Sequence, residues 1–328
     1  MTDPIDRNLA LELVRVTEAA AVQAARWMGR GDKNHSDQAA VDAMRSVLNS
    51  IAMSGLVVIG EGEKDEAPML YVGELLGTGD HPEVDIAVDP IDGTRLLSNG
   101  MPNSVAVIAV AGRGTMLASS DIMYMDKIVV GPESVGLVHI DRPVTENLRA
   151  VGQALGKAMD DITVVVLDRP RHEDLIAEIR AAGSRIKLIT DGDVAGAIMA
   201  ASEETTVDVM LGIGGAPEAV IAACALKCLG GDMQARLWPR NDEERLVVRV
   251  KQIDTERVYG LNDLVGGDNC FFAATGITDG ELLRGVHYLG RGGATTESLV
   301  MRSRTGTVRR IQATHRMDKM TRVWPAAR

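Results

Sequence analysis

Aromatic residues and cysteine are scarce in this chain of 328 residues. Phe, Trp and Tyr make up 3% of the sequence, so aliphatic side chains and Met must fill most of its core. Three cysteines are too few for a disulfide framework and indicate a reducing compartment, which predicts a cytoplasmic protein. Cys224 and Cys228 stand four residues apart, a spacing more typical of one packed helix face than of a zinc site.

Long apolar segments are also lacking. The longest clean apolar run, 104–112, is far shorter than the roughly 20 residues that span a bilayer. Near the N-terminus, Asp3, Asp6, Arg7 and Glu12 occupy a segment that would be apolar in an export signal. The sequence therefore predicts neither a membrane span nor an exported protein.

Positive charge is in short supply. Lys and Arg number 35 against 46 Asp and Glu, which gives a formal net charge of -11. An acidic surface repels nucleic acid and anionic membranes, so neither is an expected partner. An anionic small-molecule substrate would need local help from metal ions, arginines or helix N-termini.

Glycine is plentiful, with 34 residues against 11 prolines, and this ratio favours tight turns over disordered linkers. The length suggests about two domains. Because strands and helices alternate from about residue 160, the pattern predicts βαβ units and a mainly parallel sheet. The least structured stretch, 131–160, is the expected boundary between domains 1–150 and 151–328.

Individual elements follow from apolar periodicity and turn residues. Before the boundary, the sequence predicts helices over 9–28 and 38–53 and strands over 56–59, 85–88, 104–110 and 114–118. After it, the sequence predicts strands over 162–167, 185–189 and 207–211 and helices over 172–182, 193–201 and 217–229.

Three segments share one design, in which an apolar strand runs into a loop of glycines and carboxylates. They are residues 57–68, 85–94 and 207–219. In open α/β sheets, ligands bind outside the carboxyl ends of the strands. The three segments could therefore converge on one site.

The string DPIDGT, in the middle segment, carries the sharpest signal. Asp89 and Asp92 are close enough in sequence to hold the same cation or two adjacent cations. Gly93 allows close backbone approach, and Thr94 stands where a helix could begin. The combination indicates carboxylates for a hard cation beside a backbone cradle for phosphate. The alternative interpretation is a turn capped by Asp.

The other two loops are less specific. Glu61, Glu63, Asp65 and Glu66 follow a strand and, taken alone, are also typical of a solvated acidic loop. In GIGGAPEA, Glu218 stands in the predicted first turn of a helix. The glycines there do not form a dinucleotide-binding motif.

Arginines offer the best candidates for binding phosphate. Arg169, Arg171 and His172 lie between a predicted strand and a predicted helix, and guanidinium groups match phosphate oxygens well. The alternative is ordinary surface charge at a helix start.

These strings resemble a known family. DPIDGT is similar to the signature of the lithium-sensitive, metal-dependent sugar and inositol phosphatases. The longer strings, in this order, resemble class II (GlpX-type) fructose-1,6-bisphosphatases from about residue 7 to 316. They are GRGDKN (29–34), IGEGEKDEAPMLYVGE (59–74), DIAVDPIDGT (85–94), PRH (170–172), DGDV (191–194) and GIGGAPE (212–218).

The resemblance implies an α/β fold layered α-β-α-β-α, with the active site between two domains. Residues 1–150 would form a metal-binding α+β domain and 151–328 a sugar-phosphate-binding α/β domain. The implied reaction is hydrolysis of the 1-phosphate of fructose 1,6-bisphosphate with two or three Mg²⁺ or Mn²⁺ ions, and some members also hydrolyse sedoheptulose 1,7-bisphosphate. A homodimer or homotetramer is expected.

The resemblance also implies the site residues. The metal ligands would be Asp37, Glu61, Asp89, Asp92 and Glu218. The catalytic residues would be Glu61, Asp89, Asp92 and Thr94. Substrate contacts would be Asp92, Gly93, Thr94, Tyr124, Arg169, Pro170, Arg171, Asp191, Gly192, Asp193 and Gly215, and Lys33 is a further candidate near the metals.

Two departures and two alternatives accompany this assignment. Many family members have Glu where this chain has Asp92, and the stretch after Trp238 is shorter than in some members. An inositol-monophosphatase-like enzyme would usually carry a Trp-Asp motif, and the chain has no Trp-Asp pair. A non-catalytic sugar-phosphate sensor would be expected to lose ligand carboxylates, and all five are present.

Overall fold

A computed structural model describes residues 9–61, 70–118, 121–290 and 292–320. It is a mixed α/β structure in which the chain forms two compact units. Unit 1 contains the described residues up to Thr115 and from Asn269 onward, and unit 2 contains 116–268. Among the described helices, none combines the length and the apolar character of a membrane span.

The described residues form ten α-helices, numbered in chain order. They are α1 (Ala10–Ala24), α2 (Lys33–Leu48), α3 (Thr94–Ser98), α4 (Val144–Leu155), α5 (Glu173–Ala182), α6 (Asp193–Ala200), α7 (Ala216–Leu229), α8 (Asp242–Lys251), α9 (Leu261–Leu264) and α10 (Met317–Met320).

The strands fall into two sheets, one in each unit. They are β1 (Ser54–Ile59), β2 (Leu75–Leu76), β3 (Glu83–Asp92), β4 (Val105–Gly112), β5 (Tyr124–Val130), β6 (Thr163–Leu167), β7 (Arg185–Ile189), β8 (Val209–Gly215), β9 (Asp232–Leu237), β10 (Val258–Gly260), β11 (Cys270–Gly276), β12 (His287–Leu289), β13 (Gly293–Arg302) and β14 (Thr307–Arg316).

Unit 1 packs the alanine-rich helix α1 against a sheet of eight strands. The strand order is β12-β13-β11-β4-β3-β1-β2, and β14 pairs with β13. Leu13, Met44, Ile86 and Ile108 are fully buried in its core, so aliphatic side chains and Met dominate the packing as expected. Because β1 and β3 pair in parallel, their carboxyl ends lie at the same edge of the sheet.

Unit 2 contains a sheet of six strands in the order β10-β9-β5-β8-β6-β7. Helices α4 and α5 pack on the face that carries Ile128 and Val164, and α6 packs on the opposite face, over Val165 and Met210. Strand β6 pairs in parallel with β7 and with β8, whereas the pairings of β5 with β8, β5 with β9 and β9 with β10 are antiparallel. The expectation of a mainly parallel sheet is therefore wrong, because β5, β9 and β10 join the βαβ strands antiparallel.

The two compact units differ from the division expected near residue 150. The stretch 131–160 contains α4, whose apolar side packs on the sheet of unit 2. The chain then returns to unit 1, where β11 pairs with β4 along its whole length. These long-range pairings leave no signal in local composition.

Local boundaries also differ from the expectations. Strands β3 and β8 continue through DPID and GIGG to Asp92 and Gly215, because β4 and β5 pair with these residues. The strand predicted over 114–118 is wrong, since the chain turns at Gly114 (φ 75°) and forms only an isolated bridge at Met116. Helix α2 begins at Lys33, five residues before its predicted start.

Candidate active site

The end of β3 carries the DPIDGT sequence. Asp89 accepts a hydrogen bond at Oδ1 from the backbone N–H of Ile91 at 3.0 Å, and Asp92 is buried. The pairing with β4 changes register between these two aspartates, around Pro90, which has no N–H to donate. The Ser104 hydroxyl donates to the Asp92 carbonyl at 3.2 Å. This irregularity places two carboxylates at an anchored strand end.

Gly93 and Thr94 turn the chain from β3 into α3. Gly93 has a φ of 89°, and a Cβ there would lie 2.9 Å from Cδ1 of Leu96, so no other residue fits without strain. The Oγ1 atom of Thr94 lies 3.2 Å from the Ile91 carbonyl oxygen and 3.4 Å from Oδ1 of Asp37. The fold thereby joins two segments that are 57 positions apart.

Helix α2 supplies Asp37. It begins where it does because Asp32 caps it, with Oδ1 accepting the backbone N–H of His35 at 3.1 Å. Just before the cap, the N–H of Gly29 donates to the carbonyl of Leu97 in α3 at 2.9 Å. This bond fixes the start of α2 against α3, and Asp37 in the second turn then reaches Thr94.

The carboxyl groups of Asp37 and Glu61 both have raised pKa values. Burial raises the pKa of Asp37 to about 6, although the hydrogen bond from Thr94 and the nearby Lys33 act in the opposite direction. Desolvation of its carboxyl group and, second, the negative charge of Asp37 raise the pKa of Glu61 to about 7. The Glu61 residue as a whole is nevertheless exposed to solvent.

Oxygen ligands of this kind suit Mg²⁺ or Mn²⁺, and a divalent cation would relieve the repulsion between Asp37 and Glu61. The donor chemistry therefore fits a metal site. Within the described ranges, however, no group of three or more His, Cys, Asp or Glu side chains is arranged to hold an ion. Glu63, Asp65 and Glu66 lie outside the described residues.

In unit 2, the DRPRH segment forms a short turn after β6. The Arg171 guanidinium donates from Nε and Nη2 to the carbonyl of Ile213, at 3.1 and 2.7 Å, and its Cζ lies 5.0 Å from the Tyr124 ring centroid. Nη2 of Arg169 lies 3.8 Å from Oδ1 of Asp191. Burial, together with the neighbouring Arg169, lowers the pKa of Arg171.

His172 connects the same turn to the end of β8. Its Nδ1 lies 2.7 Å from the Leu167 carbonyl, which can only accept, so Nδ1 carries the proton. Nε2 then accepts the backbone N–H of Ile213 at 2.7 Å. Burial lowers the pKa of His172, which favours the neutral ring that both hydrogen bonds require.

Tyr124 begins β5 directly opposite Gly215 in β8. Trp238 meets its ring edge-on, with centroids 6.4 Å apart, and the Cζ atom of Arg240 lies 5.8 Å from the ring centroid. Tyr124 is therefore flanked by the guanidinium groups of Arg171 and Arg240. Such a surface can stack against a sugar and pair with a phosphate.

The starts of α6 and α7 carry the remaining predicted residues. Gly192 takes a φ of 82° and leads into α6, whose first residue, Asp193, is buried and accepts from Nζ of Lys127 at 2.6 Å. A Cβ at Gly215 would lie 1.6 Å from Oε2 of Glu218. The Glu218 carboxylate therefore lies beside this glycine at the end of β8, and it would have to move if Gly215 carried a side chain.

Each unit thus gathers its own set of predicted residues. In unit 1 these are Asp37, Glu61, Asp89, Asp92, Gly93 and Thr94. In unit 2 they are Tyr124, Arg169, Pro170, Arg171, Asp191, Gly192, Asp193, Gly215 and Glu218.

Sequence reasoning missed two contributors in unit 2, Lys127 and Arg240. Lys127 had a usable signal, since a lysine inside the strand YMDKIVV must be paired if the strand is buried. Arg240 had none, because only its proximity to the Tyr124 ring distinguishes it.

Comparisons with known proteins were made for the whole chain. Residues 7–315 match the family model described as bacterial fructose-1,6-bisphosphatase, glpX-encoded. The chain is 47% identical over 332 residues to a class 2 fructose-1,6-bisphosphatase of Haemophilus influenzae, covering 97% of this chain and 99% of that protein. It is 47% identical over 326 residues to fructose-1,6-bisphosphatase 1 class 2 of Escherichia coli K12, covering 95% and 96%.

Solved structures give weaker likenesses. An inositol monophosphatase from Anabaena matches with a TM-score of 0.39 and 12% identity, covering 79% of this chain and 90% of that chain. The extragenic suppressor protein SuhB from Bartonella henselae matches with a TM-score of 0.32 and 14% identity, covering 59% and 73%. Both TM-scores are below 0.5.

Proposed function

Since the chain belongs to the family of glpX-encoded bacterial fructose-1,6-bisphosphatases, we propose which of its residues carry out that family's reaction. The protein is an enzyme that hydrolyses fructose 1,6-bisphosphate, and the family implies dependence on a divalent metal ion. One observation carries this conclusion, namely 47% identity to class 2 enzymes over nearly the full length of both chains.

We propose that two or three Mg²⁺ or Mn²⁺ ions are held by the carboxylates of Asp37, Glu61, Asp89, Asp92 and Glu218. The raised pKa values of Asp37 and Glu61 support this, because a carboxylate that is withdrawn from water, or lies near another carboxylate as Glu61 does, favours either a proton or a cation. When bound, such ions neutralise a phosphate and lower the pKa of water toward 7.

Thr94 would orient the attacking water. Its hydroxyl proton has two acceptors within reach, Asp37 and the Ile91 carbonyl, so a lone pair of Oγ1 stays available to accept from water. The water oxygen would then attack phosphorus in line, and the bond from phosphorus to O1 of the sugar would break. Fructose 6-phosphate and phosphate are the products, and no covalent intermediate is needed.

Unit 2 would bind the distal part of the substrate. The planar guanidinium groups of Arg169 and Arg171 suit the 6-phosphate, and Tyr124 offers a face for the sugar. Pro170, the loop Asp191–Asp193 and Gly215 complete the proposed contacts. Sedoheptulose 1,7-bisphosphate shares the ketose 1-phosphate end and differs near this distal phosphate, so we propose it as a second substrate.

The test is phosphate release from fructose 1,6-bisphosphate, sedoheptulose 1,7-bisphosphate and inositol 1-phosphate, each with Mn²⁺ and with Mg²⁺. We expect turnover of the first substrate that disappears with chelator and returns with added metal. Turnover of inositol 1-phosphate alone, or of none of the three, would contradict the assignment. The ratio of the two ketose bisphosphates tests the dual specificity.

The assembly and location stay predictions. We propose a homodimer or homotetramer, which sedimentation velocity of the purified enzyme would distinguish from a monomer. A cytoplasmic location is tested by fractionating cells and following the activity.

A further inference from the structure

Lys127 is a buried lysine in the middle of β5. Its side chain is 2% exposed, and an ammonium group taken out of water is costly unless it is paired and hydrogen-bonded. Nζ donates to Oδ2 of Asp193 at 2.6 Å and to the carbonyl of Gly215 at 3.0 Å. Asp193 is itself buried, so this ion pair has little access to solvent.

The two partners of Lys127 lie at the starts of different helices. Asp193 opens α6, and Gly215 ends β8 directly before α7. Each helix start carries residues of the proposed site, Asp191 and Gly192 just before α6 and Glu218 in the first turn of α7. A single ammonium group therefore fixes the start of one helix relative to the start of the other.

The glycines at the end of β8 make room for this arrangement. A Cβ at Gly214 would lie 1.9 Å from Oδ2 of Asp193 and 2.8 Å from Nζ of Lys127, so the ion pair occupies the space of a side chain. The next residue, Gly215, gives its carbonyl to Lys127 while the Glu218 carboxylate lies over its Cα. Lys127 therefore holds the same glycine, Gly215, against which the Glu218 carboxylate lies.

We propose that Lys127 is a positioning residue for the reaction. It acts through Asp193 and the Gly215 carbonyl, and it holds the 191–193 loop and the Glu218 carboxylate in the geometry that binds substrate and metal. This inference rests on the proposed roles of the 191–193 loop and of Glu218. It assigns Lys127 no contact with the substrate.

A second lysine–aspartate pair in unit 2 provides the control. Nζ of Lys157 lies 2.5 Å from Oδ1 of Asp208, which is buried, whereas the Lys157 side chain is 40% exposed. Asp208 precedes β8 whereas Gly215 ends it, so about 20 Å of strand separates the two pairs. Removing Lys157 tests the loss of such a pair without touching the proposed site.

The experiment compares Lys127→Met and Lys157→Met with the wild-type enzyme. For Lys127→Met we expect KM for fructose 1,6-bisphosphate and the Mn²⁺ concentration for half activity to rise about 10-fold or more, with a smaller change in kcat. For Lys157→Met we expect a lower Tm with both constants within about twofold of wild type. A Lys127→Met enzyme with wild-type constants and only a lower Tm overturns the inference.

The double variant Lys127→Met/Asp193→Asn covers the case in which Lys127→Met folds poorly. It leaves no unpaired buried charge, so Tm should recover, whereas the Mn²⁺ constant stays raised because nothing holds the Gly215 carbonyl. KM does not decide for this variant, because Asp193 is itself a proposed substrate contact. Recovery of the Mn²⁺ constant together with Tm would assign Lys127 a structural role only.

Calorimetric titration with Mn²⁺ measures the metal site without turnover. A weaker Kd is expected for Lys127→Met, and an unchanged Kd for Lys157→Met. A wild-type enzyme that binds Mn²⁺ but does not release phosphate from fructose 1,6-bisphosphate would contradict the proposed function. Equal Mn²⁺ affinity of wild type and Lys127→Met would contradict this inference instead.

Discussion

Several residues of the proposed site are single side chains at strand ends. Asp89 and Asp92 are held by the register change in β3, and Asp37 reaches the same region from α2 through Thr94. The pattern DPIDGT identified the first two, but nothing in the spacing of α2 identified Asp37. Its proposed role as a metal ligand follows only from the family resemblance.

The first prediction concerns Asp89. We expect Asp89→Asn to lower kcat by at least about 100-fold with little change in Tm, because the substitution keeps the acceptor for the Ile91 N–H but removes the charge that a cation needs. The exposed Glu83 on the same strand provides the control, and Glu83→Gln should keep wild-type turnover. The measurement is the rate of phosphate release at saturating Mn²⁺. Near-wild-type turnover of Asp89→Asn would show that Asp89 is not a metal ligand.

The second prediction concerns Arg171. We expect Arg171→Ala to raise KM for fructose 1,6-bisphosphate by about 10- to 100-fold, with a much smaller effect on kcat. The reason is that the Arg171 guanidinium would bind the distal phosphate, which does not react. Arg180, exposed in the last turn of α5, is the control, and Arg180→Ala should leave KM unchanged. An unchanged KM for Arg171→Ala would remove Arg171 from the binding site.

At the scale of elements, the surprise is that glycines predicted as a loop form the end of a strand. GIGG continues β8 to Gly215 because β5 pairs with it residue by residue. His172 and Arg171 fix its backbone at Ile213, and Lys127 fixes it at Gly215. The glycine-rich segment expected to be a loop is therefore the hydrogen-bonded end of a strand.

The third prediction follows from the space around Gly214. Because a Cβ there would lie 1.9 Å from Oδ2 of Asp193, Gly214→Ala must displace the Lys127–Asp193 ion pair. We expect a Tm several °C lower and a raised KM. Gly260 is the control within unit 2, since its added Cβ would meet Asp263 only at 3.8 Å. Equal Tm and KM for the two alanine variants, measured by calorimetry and initial rates, would show that this space is not confined.

At the scale of the whole molecule, the chain closes unit 1 with residues from both of its ends. A buried hydrogen-bonded network ties α1 to β13 and β14. Oγ1 of Thr296 lies 3.2 Å from Oε1 of Glu18 and 2.8 Å from Nε2 of His315. Burial raises the pKa of Glu18 to about 7 and lowers the pKa of His315, while the nearby Arg15 acts against the shift of Glu18.

The fourth prediction is a pH dependence of stability. Between about pH 4.5 and 7, folded Glu18 holds a proton that the unfolded chain has released, so its contribution to stability is lost as pH rises through this window. Glu18→Gln imitates the protonated form, so we expect its Tm to exceed that of wild type more at pH 8 than at pH 5. His315 acts in the opposite sense, and its Nε2 lies 3.8 Å from Oε1 of Glu18, so the comparison between variants reports the loss of the Glu18 charge together with its effect on His315.

Differential scanning calorimetry of both proteins at pH 5, 6, 7 and 8 makes the measurement. Glu12→Gln, on a surface position of the first turn of α1, serves as the control and should leave the pH profile unchanged. Parallel profiles for Glu18→Gln and wild type would contradict the prediction.

Local sequence signals were sufficient for part of this structure. The periodicity over 9–28 predicted α1, which occupies Ala10–Ala24 and continues as a short 3-10 turn. The alternation after residue 160 predicted β6, α5, β7 and α6 close to their observed bounds. In these segments one face of each strand or helix is buried, so apolar residues recur with a period of two in strands and 3.6 in helices.

The sequence by itself determined the class of fold, the family and the order of the chemical motifs along the chain. Only the tertiary structure decided that β11 returns to β4, that Thr94 meets Asp37 and that Lys127 joins Asp193 to Gly215. The physical reason is the range of the contacts. Periodicity and turn chemistry report a residue's immediate neighbours, whereas these pairings form between segments distant in sequence and depend on how whole elements pack.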